Sequence, residues 1–204
     1  MARVSGISLR VHLLGMPEPV YRDLWVPLRY TWHQLHLVIQ TAFGWENLHR
    51  YEFRYGAARW GLPRSPDVSL LKDARSVRLS AVTWHPQTGF DYWYNLQEGW
   101  HHRLIVLDCS TGSERRPRLI DGQGVCPPED VGGPAGYREF LAAIQNPAHE
   151  DHDLYRLWAD GHYAFDGFCL EETAARLQKA FMPRRRKKPT TRRLADISVA
   201  TSSS

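Results

Sequence analysis

The last aromatic residue of this 204-residue chain is Phe181. Eight Trp, nine Tyr and seven Phe all lie at or before it. A chain folds around the large apolar side chains it can bury, and the aromatic ones stop there. Residues 1–182 are therefore expected to form one domain. Residues 183–204 are expected to form a disordered tail.

Charge divides the chain at the same place. The tail holds Arg184, Arg185, Arg186, Lys187, Lys188, Arg192 and Arg193 against the single acid Asp196, a net +6. The whole chain carries +4, which leaves −2 for the first 182 residues. The basic character belongs to the tail, so the core is not read as a basic nucleic-acid binder. The tail's cations suit salt-dependent, sequence-independent contact with nucleic acid through Arg184, Arg185, Arg186, Lys187 and Lys188. Three cysteines, Cys109, Cys126 and Cys169, are an odd count without a CxxC pair, which argues against a disulfide scaffold. No apolar run is long enough for a membrane span and the N-terminus does not resemble a signal peptide. A soluble, cytoplasmic protein without a membrane partner is expected.

Residue periodicity gives the elements. Residues 7–14 and 20–26 alternate as two strands of a hairpin. Thr31 is an N-cap candidate for a helix over 32–43, where Trp32, Leu35, Ile39 and Phe43 share a face, and Gly44 ends it. Residues 49–55 return as a strand, and 56–76 are irregular. Leu79 to Val82 suit a short helical turn. Residues 90–96 and 102–107 form a second hairpin, followed by a Gly/Pro-rich loop over 110–136. Helices are expected at 134–145, 149–160 and 170–181. Strands with one helix, then helices, make an α+β fold with a mixed or antiparallel sheet.

Several segments carry a family resemblance. They are Gln34 to Gln40 (QLHLVIQ), Phe43 to Asn47 (FGWEN), Tyr51-Glu52-Phe53, Trp100-His101-His102, Asp121 to Tyr137 (DGQGVCPPEDVGGPAGY), Gly167-Phe168 and Leu170-Glu171-Glu172. In order and spacing they resemble the plasmid pRiA4b ORF-3-like family over about residues 7–181. The resemblance implies an α+β fold with a β-grasp-like hairpin–helix start, and an accessory role in plasmids or transposable elements. It implies no particular reaction. The chain departs from the family at Tyr94-Asn95-Leu96-Gln97-Glu98, where Tyr-Asp-Phe-Gly-Asp is usual. Family cysteines near the Cys-Pro-Pro-Glu-Asp segment are replaced by Leu119 or Ile120 and by Val131.

Candidate sites follow. Cys126, Glu129, Asp130 and His49 offer ligand-type atoms for a divalent metal, although zinc takes three or four ligands, partly Cys or His. The competing reading has Glu129 and Asp130 satisfying the free N–H groups of the next helix. His102 matches the family position and is taken as inward-facing. As a general base it needs a carboxylate in reach, Glu98 or Asp91. Three successive aromatics at 92–94 must expose at least one if a single sheet face is buried, so Tyr92, Tyr94 and Trp100 are candidates for a binding surface.

Three functional readings result, the third being a purely structural partner-binding domain that uses the exposed aromatic surface. The first is a non-catalytic, mobile-element-associated interaction module, with weak nucleic-acid affinity from its tail and a mobile-element protein as its other candidate partner. The second is a metal-assisted hydrolase using His102, Glu98 and the 121–133 loop.

Overall fold

A hairpin opens the fold: β1 (Gly6–Leu13) pairs antiparallel with β2 (Val20–Pro27). The structure is a computed structural model and describes residues 5–63, 70–161 and 163–183. Helix α1 (Trp32–Phe43) follows with the expected bounds. Its start is fixed by a reciprocal cap. The Gln34 N–H donates to Thr31 Oγ1 at 3.2 Å, and the Thr31 N–H donates to Gln34 Oε1 at 2.9 Å. Such a cap contributes about 1 kcal/mol. Gly44 ends the helix at φ 84°, where a side chain would be strained.

The remaining strands are β3 (Tyr51–Tyr55), β4 (Ala58–Gly61), β5 (Leu71–Asp73), β6 (Gly89–Tyr94), β7 (Trp100–Ser110) and β8 (Arg118–Gln123). One eight-stranded sheet has the order β5-β4-β3-β6-β7-β1-β2-β8. The β4–β5 pair is parallel and the others are antiparallel. The fold is α+β with a mixed sheet. Three of these strands depart from expectation. Residues 56–76 contain β4 and β5, and the supposed loop over 110–136 contains β8. Trp60 holds β4 in place by stacking on Trp32 at 4.0 Å, an interaction invisible to local periodicity. β8 is ordered by pairing with β2 rather than by its own pattern, since it buries none of its six residues.

One sheet face is buried and the other is open. The buried face joins Ile7, Leu9, Val11 and Leu13 to Leu104 and Val106, with α1 contributing Leu35, Val38, Ile39 and Ala42 to the same core. At about 1.5–3 kcal/mol per large side chain, this core supplies the main drive to fold. The open face carries charge in pairs: Arg10 grips Asp23 with two bonds of 2.8 Å, and Asp91 accepts from Arg103 at 2.9 Å. Helix α2 (Gly133–Gln145) packs with α3 (His152–Trp158), which is shorter than expected. Helix α4 (Leu170–Ala180) lies against both α1 and β8. No helix among the described residues is long and apolar enough to cross a membrane. The basic run Arg184, Arg185, Arg186, Lys187 and Lys188 lies outside the described residues.

Candidate functional site

Strict alternation along β2 puts Val20, Arg22, Leu24 and Val26 on the buried face. Arg22 is therefore a cation in an apolar register, only 2% exposed. Its Nε donates to the Ala42 carbonyl at 3.2 Å, and Nη1 donates to Tyr21 and Gln123 carbonyls at 2.7 and 2.8 Å. Nη2 donates to the Gly124 carbonyl at 3.0 Å. The guanidinium lies over Phe168 at 3.8 Å, with Phe43 at 5.3 Å. Gly122 makes room for this stack, because a Cβ there would come within 2.8 Å of Phe168 and 3.0 Å of Arg22 Cδ. Burial lowers the Arg22 pKa to about 10, and Arg176 adds like-charge repulsion.

Arg22 sits in the wall of a cleft of about 520 Å³. One side is the C-terminal turn of α1 with Trp45 and Glu46, and a second is the loop Val125–Asp130. Trp158, residues 161, 163–164 and 167–169, and α4, through Glu172, Thr173 and Arg176, complete it. The first two walls are sewn together. Trp45 Nε1 donates to the Pro127 carbonyl at 2.9 Å. Glu129 accepts from the Glu46 N–H at 2.6 Å, the Leu48 N–H at 3.4 Å and the Tyr94 hydroxyl. Burial, with the bond to Glu129 added, drives the Tyr94 pKa well above its ordinary value.

The residues singled out from sequence are distributed differently. Glu129 and Asp130 reach the cleft but do not cap α2. Asp130, held at φ 63°, pairs its carboxylate with His49 Nε2 at 2.6 Å. Cys126 also lines the cleft, but burial pushes its thiol up to about 12, far from the thiolate a nucleophile or ligand requires. No three His, Cys, Asp or Glu residues among the described ones are grouped to hold a metal ion. The set Cys126, Glu129, Asp130 and His49 is thus resolved into separate pairings rather than one ligand shell.

The general-base assignment is also corrected. His102 does face inward, but it is fully buried against Phe43, Trp45 and Tyr92, with centroids at 5.1, 5.4 and 5.0 Å. Neither ring nitrogen has a hydrogen-bond partner. The backbone of Tyr92 and Trp100 lies close, but outside hydrogen-bond geometry. Burial lowers its pKa to about 3, so it is neutral at physiological pH. Glu98 is bound elsewhere, accepting from Trp100 Nε1 at 3.0 Å and the Gly133 N–H at 3.2 Å. Asp91 faces the other side of the sheet, with His101 and Arg103.

The aromatic surface is corrected in the same way. Tyr92, Tyr94 and Trp100 are all fully buried. The member of the 92–94 run on the open face is Trp93, stacked on His101 at 4.0 Å with Arg54 above it. Sequence reasoning missed Arg22 and Arg176. The signal for Arg22 was present: a charged residue in register with Val20, Leu24 and Val26.

The comparisons with known proteins fit this architecture. The model for the family described as plasmid pRiA4b ORF-3-like protein matches residues 5–172. The uncharacterised protein y4hQ of Sinorhizobium fredii is 41% identical over 151 residues, covering 72% of this chain and 77% of the relative. The crystal structure of the protein of unknown function MM3350 from Methanosarcina mazei Go1 superposes with a TM-score of 0.71 at 21% identity. It covers 83% of this chain and 97% of that one, a likeness of fold alone.

Proposed function

Because this chain belongs to the plasmid pRiA4b ORF-3-like family, we propose that it is a mobile-element or plasmid-associated accessory protein, a non-catalytic interaction module that binds through its cleft. The basic tail adds weak nucleic-acid affinity, and a mobile-element protein is a candidate partner. The observation that carries this reading is how the cleft's reactive groups are used. Of its four carboxylates, Glu129 and Asp130 are committed to backbone, tyrosine and histidine partners, which leaves Glu46 and Glu172 on the rim. Its thiol is held protonated, and the candidate base His102 is sealed beneath Phe43 and Trp45. Acid–base catalysis needs a base within reach of the substrate's proton, and Glu129, Asp130, Cys126 and His102 do not provide it. The cleft's size falls within the range of ligand sites, about 300–1,000 Å³.

The tail is tested in the full-length chain. Arg184, Arg185, Arg186, Lys187 and Lys188 are replaced by Ser, and duplex DNA binding is followed across a salt series. Wild type is expected to bind with a Kd of about 10⁻⁴–10⁻⁶ M. The logarithmic salt slope should fall by about 0.9 for each phosphate the variant no longer neutralises. An unchanged affinity and slope would remove the tail from the reading.

A further inference from the structure

We propose that the cleft is an anion site, in which Arg22 and Arg176 hold the carboxylate or phosphate group of a small ligand whose apolar body lies against Phe168 and Trp158. This rests on the reading of the cleft as a binding surface and names its ligand class.

Arginine cannot discharge by losing its proton, so burying it costs several kcal/mol unless the charge is answered. A guanidinium has five N–H groups. Arg22 gives four of them to the carbonyls of Ala42, Tyr21, Gln123 and Gly124, and one on Nη2 is uncommitted. Carbonyl oxygens and the ring of Phe168 soften the charge without neutralising it. A purely structural clip would be complete at this point.

Arg176 is what a structural clip does not explain. It places a second guanidinium on the same cleft, anchored by Nε to the Thr41 carbonyl at 2.9 Å and by Nη2 to Thr173 Oγ1 at 3.4 Å. Two like charges line the same cleft, and a bound anion would offset their repulsion. The carboxylates around the cleft do not answer them. Glu129 is bonded to N–H groups and Tyr94, and Asp130 to His49. Among the described residues, neither Glu46 nor Glu172 forms an ion pair with either arginine. Those same carboxylates make the cleft's surroundings repel a polyanion. The ligand class is therefore a small molecule with one anionic group, not a nucleic-acid strand. Trp158 is 41% exposed and Phe168 half-buried, which leaves apolar surface for the rest of the ligand.

The test titrates the full-length protein with phenyl phosphate, benzoate, inorganic phosphate and neutral benzyl alcohol. Tryptophan fluorescence and calorimetry are the readouts, since Trp45 and Trp158 both line the cleft. At least one aromatic anion should bind about tenfold tighter than benzyl alcohol, and the preferred arm tells carboxylate from phosphate. Phenyl phosphate should also exceed inorganic phosphate. Arg176→Gln, on an exposed side chain, should weaken the preferred anion about tenfold while lowering the Tm by no more than about 4 °C for the lost bonds to Thr41 and Thr173, and Arg176→Lys should weaken the anion less. Trp158→Ala should weaken the aromatic anion but not inorganic phosphate. Equal binding of benzyl alcohol and the anions would overturn the anion assignment while leaving a binding cleft. Absence of anion binding, or indifference to Arg176→Gln, would also overturn it. The salt series on the tail variant is unaffected by any of these outcomes.

Discussion

Beneath α1 the inner face of the sheet is sealed, and it contains a base, His102, with no hydrogen-bond partner. At the β2–β8 edge the same face opens into the cleft, and it contains another base, Arg22, with four carbonyl partners. The sealed region answers burial by chemistry: histidine gives up its proton and becomes a polar but neutral ring. The cleft cannot do so, because arginine stays charged, and it answers burial with oriented carbonyl dipoles and aromatic faces. The difference teaches where ligand chemistry can reside. A neutral, enclosed histidine is part of the packing. A retained charge beside open space remains available to an incoming group.

The largest expected effect probes the sealed region with acid. His36 and His102 both have pKa values lowered to about 3, in each case chiefly by burial. His36 is held neutral between the Tyr92 hydroxyl, which donates to Nδ1 at 2.7 Å, and Asn47 Oδ1, which accepts from Nε2. The unfolded chain takes up these protons near pH 6.5, and the folded chain does not until about pH 3. Stability is therefore fully present above about pH 6.5 and is lost as the pH falls towards 3. Each histidine costs about 1.4 kcal/mol per pH unit, so at about pH 4.5 the pair costs about 5 kcal/mol. That is a large part of a typical domain's stability. Urea unfolding at a series of pH values checks it, and a flat profile between about pH 7 and 4.5 would show that the face is not sealed.

Next in size is the cleft side. Arg22→Ala strips four carbonyls of their donor and empties the space beside Phe168. At about 1–3 kcal/mol for each polar group left buried and unpaired, with some of the four regaining water, a loss of about 3–5 kcal/mol is expected. Arg22→Lys keeps the charge but not the planar fork, so it should fall between. Chemical denaturation measures both. A loss under about 1 kcal/mol for Arg22→Ala would mean that the carbonyls are readily solvated and that the arginine does not hold the β2–β8 edge together.

The two regions were unequally legible in the sequence. Helix α1 was readable because its signals are local: Thr31 and Gln34 cap it, four apolar residues mark its face, and Gly44 stops it. The inward direction of His102 was readable too. What could not be read was the answer each buried group receives. Glu98 sits four residues from His102 in sequence but bonds to Trp100 and Gly133. Arg22 finds its partners at Ala42, Gln123 and Gly124, through bonds between distant segments. β4 and β8 were missed for the same reason, since the stack of Trp60 on distant Trp32 and the pairing with β2, not their own periodicity, order them. The rule that one aromatic in 92–94 must face outward held, but register selects Trp93 rather than Tyr92 or Tyr94.

A smaller effect sharpens the distinction between the two bases. His102→Leu removes two unpaired ring nitrogens and replaces them with a side chain of similar size. Removing a buried polar group that has no partner is neutral or stabilising, here by about 1–2 kcal/mol near pH 7. The acid slope should fall by one proton, leaving His36 to supply the rest. A loss of more than about 1 kcal/mol would show that a buried water or the nearby backbone satisfies the ring.

The smallest effect lies on the other face of the sheet, at a charged pair that is partly solvated. Asp91 accepts from His101 Nε2 and Arg103 Nη1, both at 2.9 Å, but Arg103 is 44% exposed. Exposed pairs contribute about 0.2–1 kcal/mol and are screened by salt. Asp91→Asn keeps the shape and should cost less than about 1 kcal/mol at low salt, with the difference shrinking as salt is added. The Trp93–His101 stack gives a second readout, because its 4.0 Å spacing does not depend on the carboxylate. Trp93 fluorescence should therefore change little in Asp91→Asn. If the substitution instead cost as much as Arg22→Ala, the open face would be behaving as an enclosed one. Burial would then no longer be what separates the Asp91 pair from Arg22.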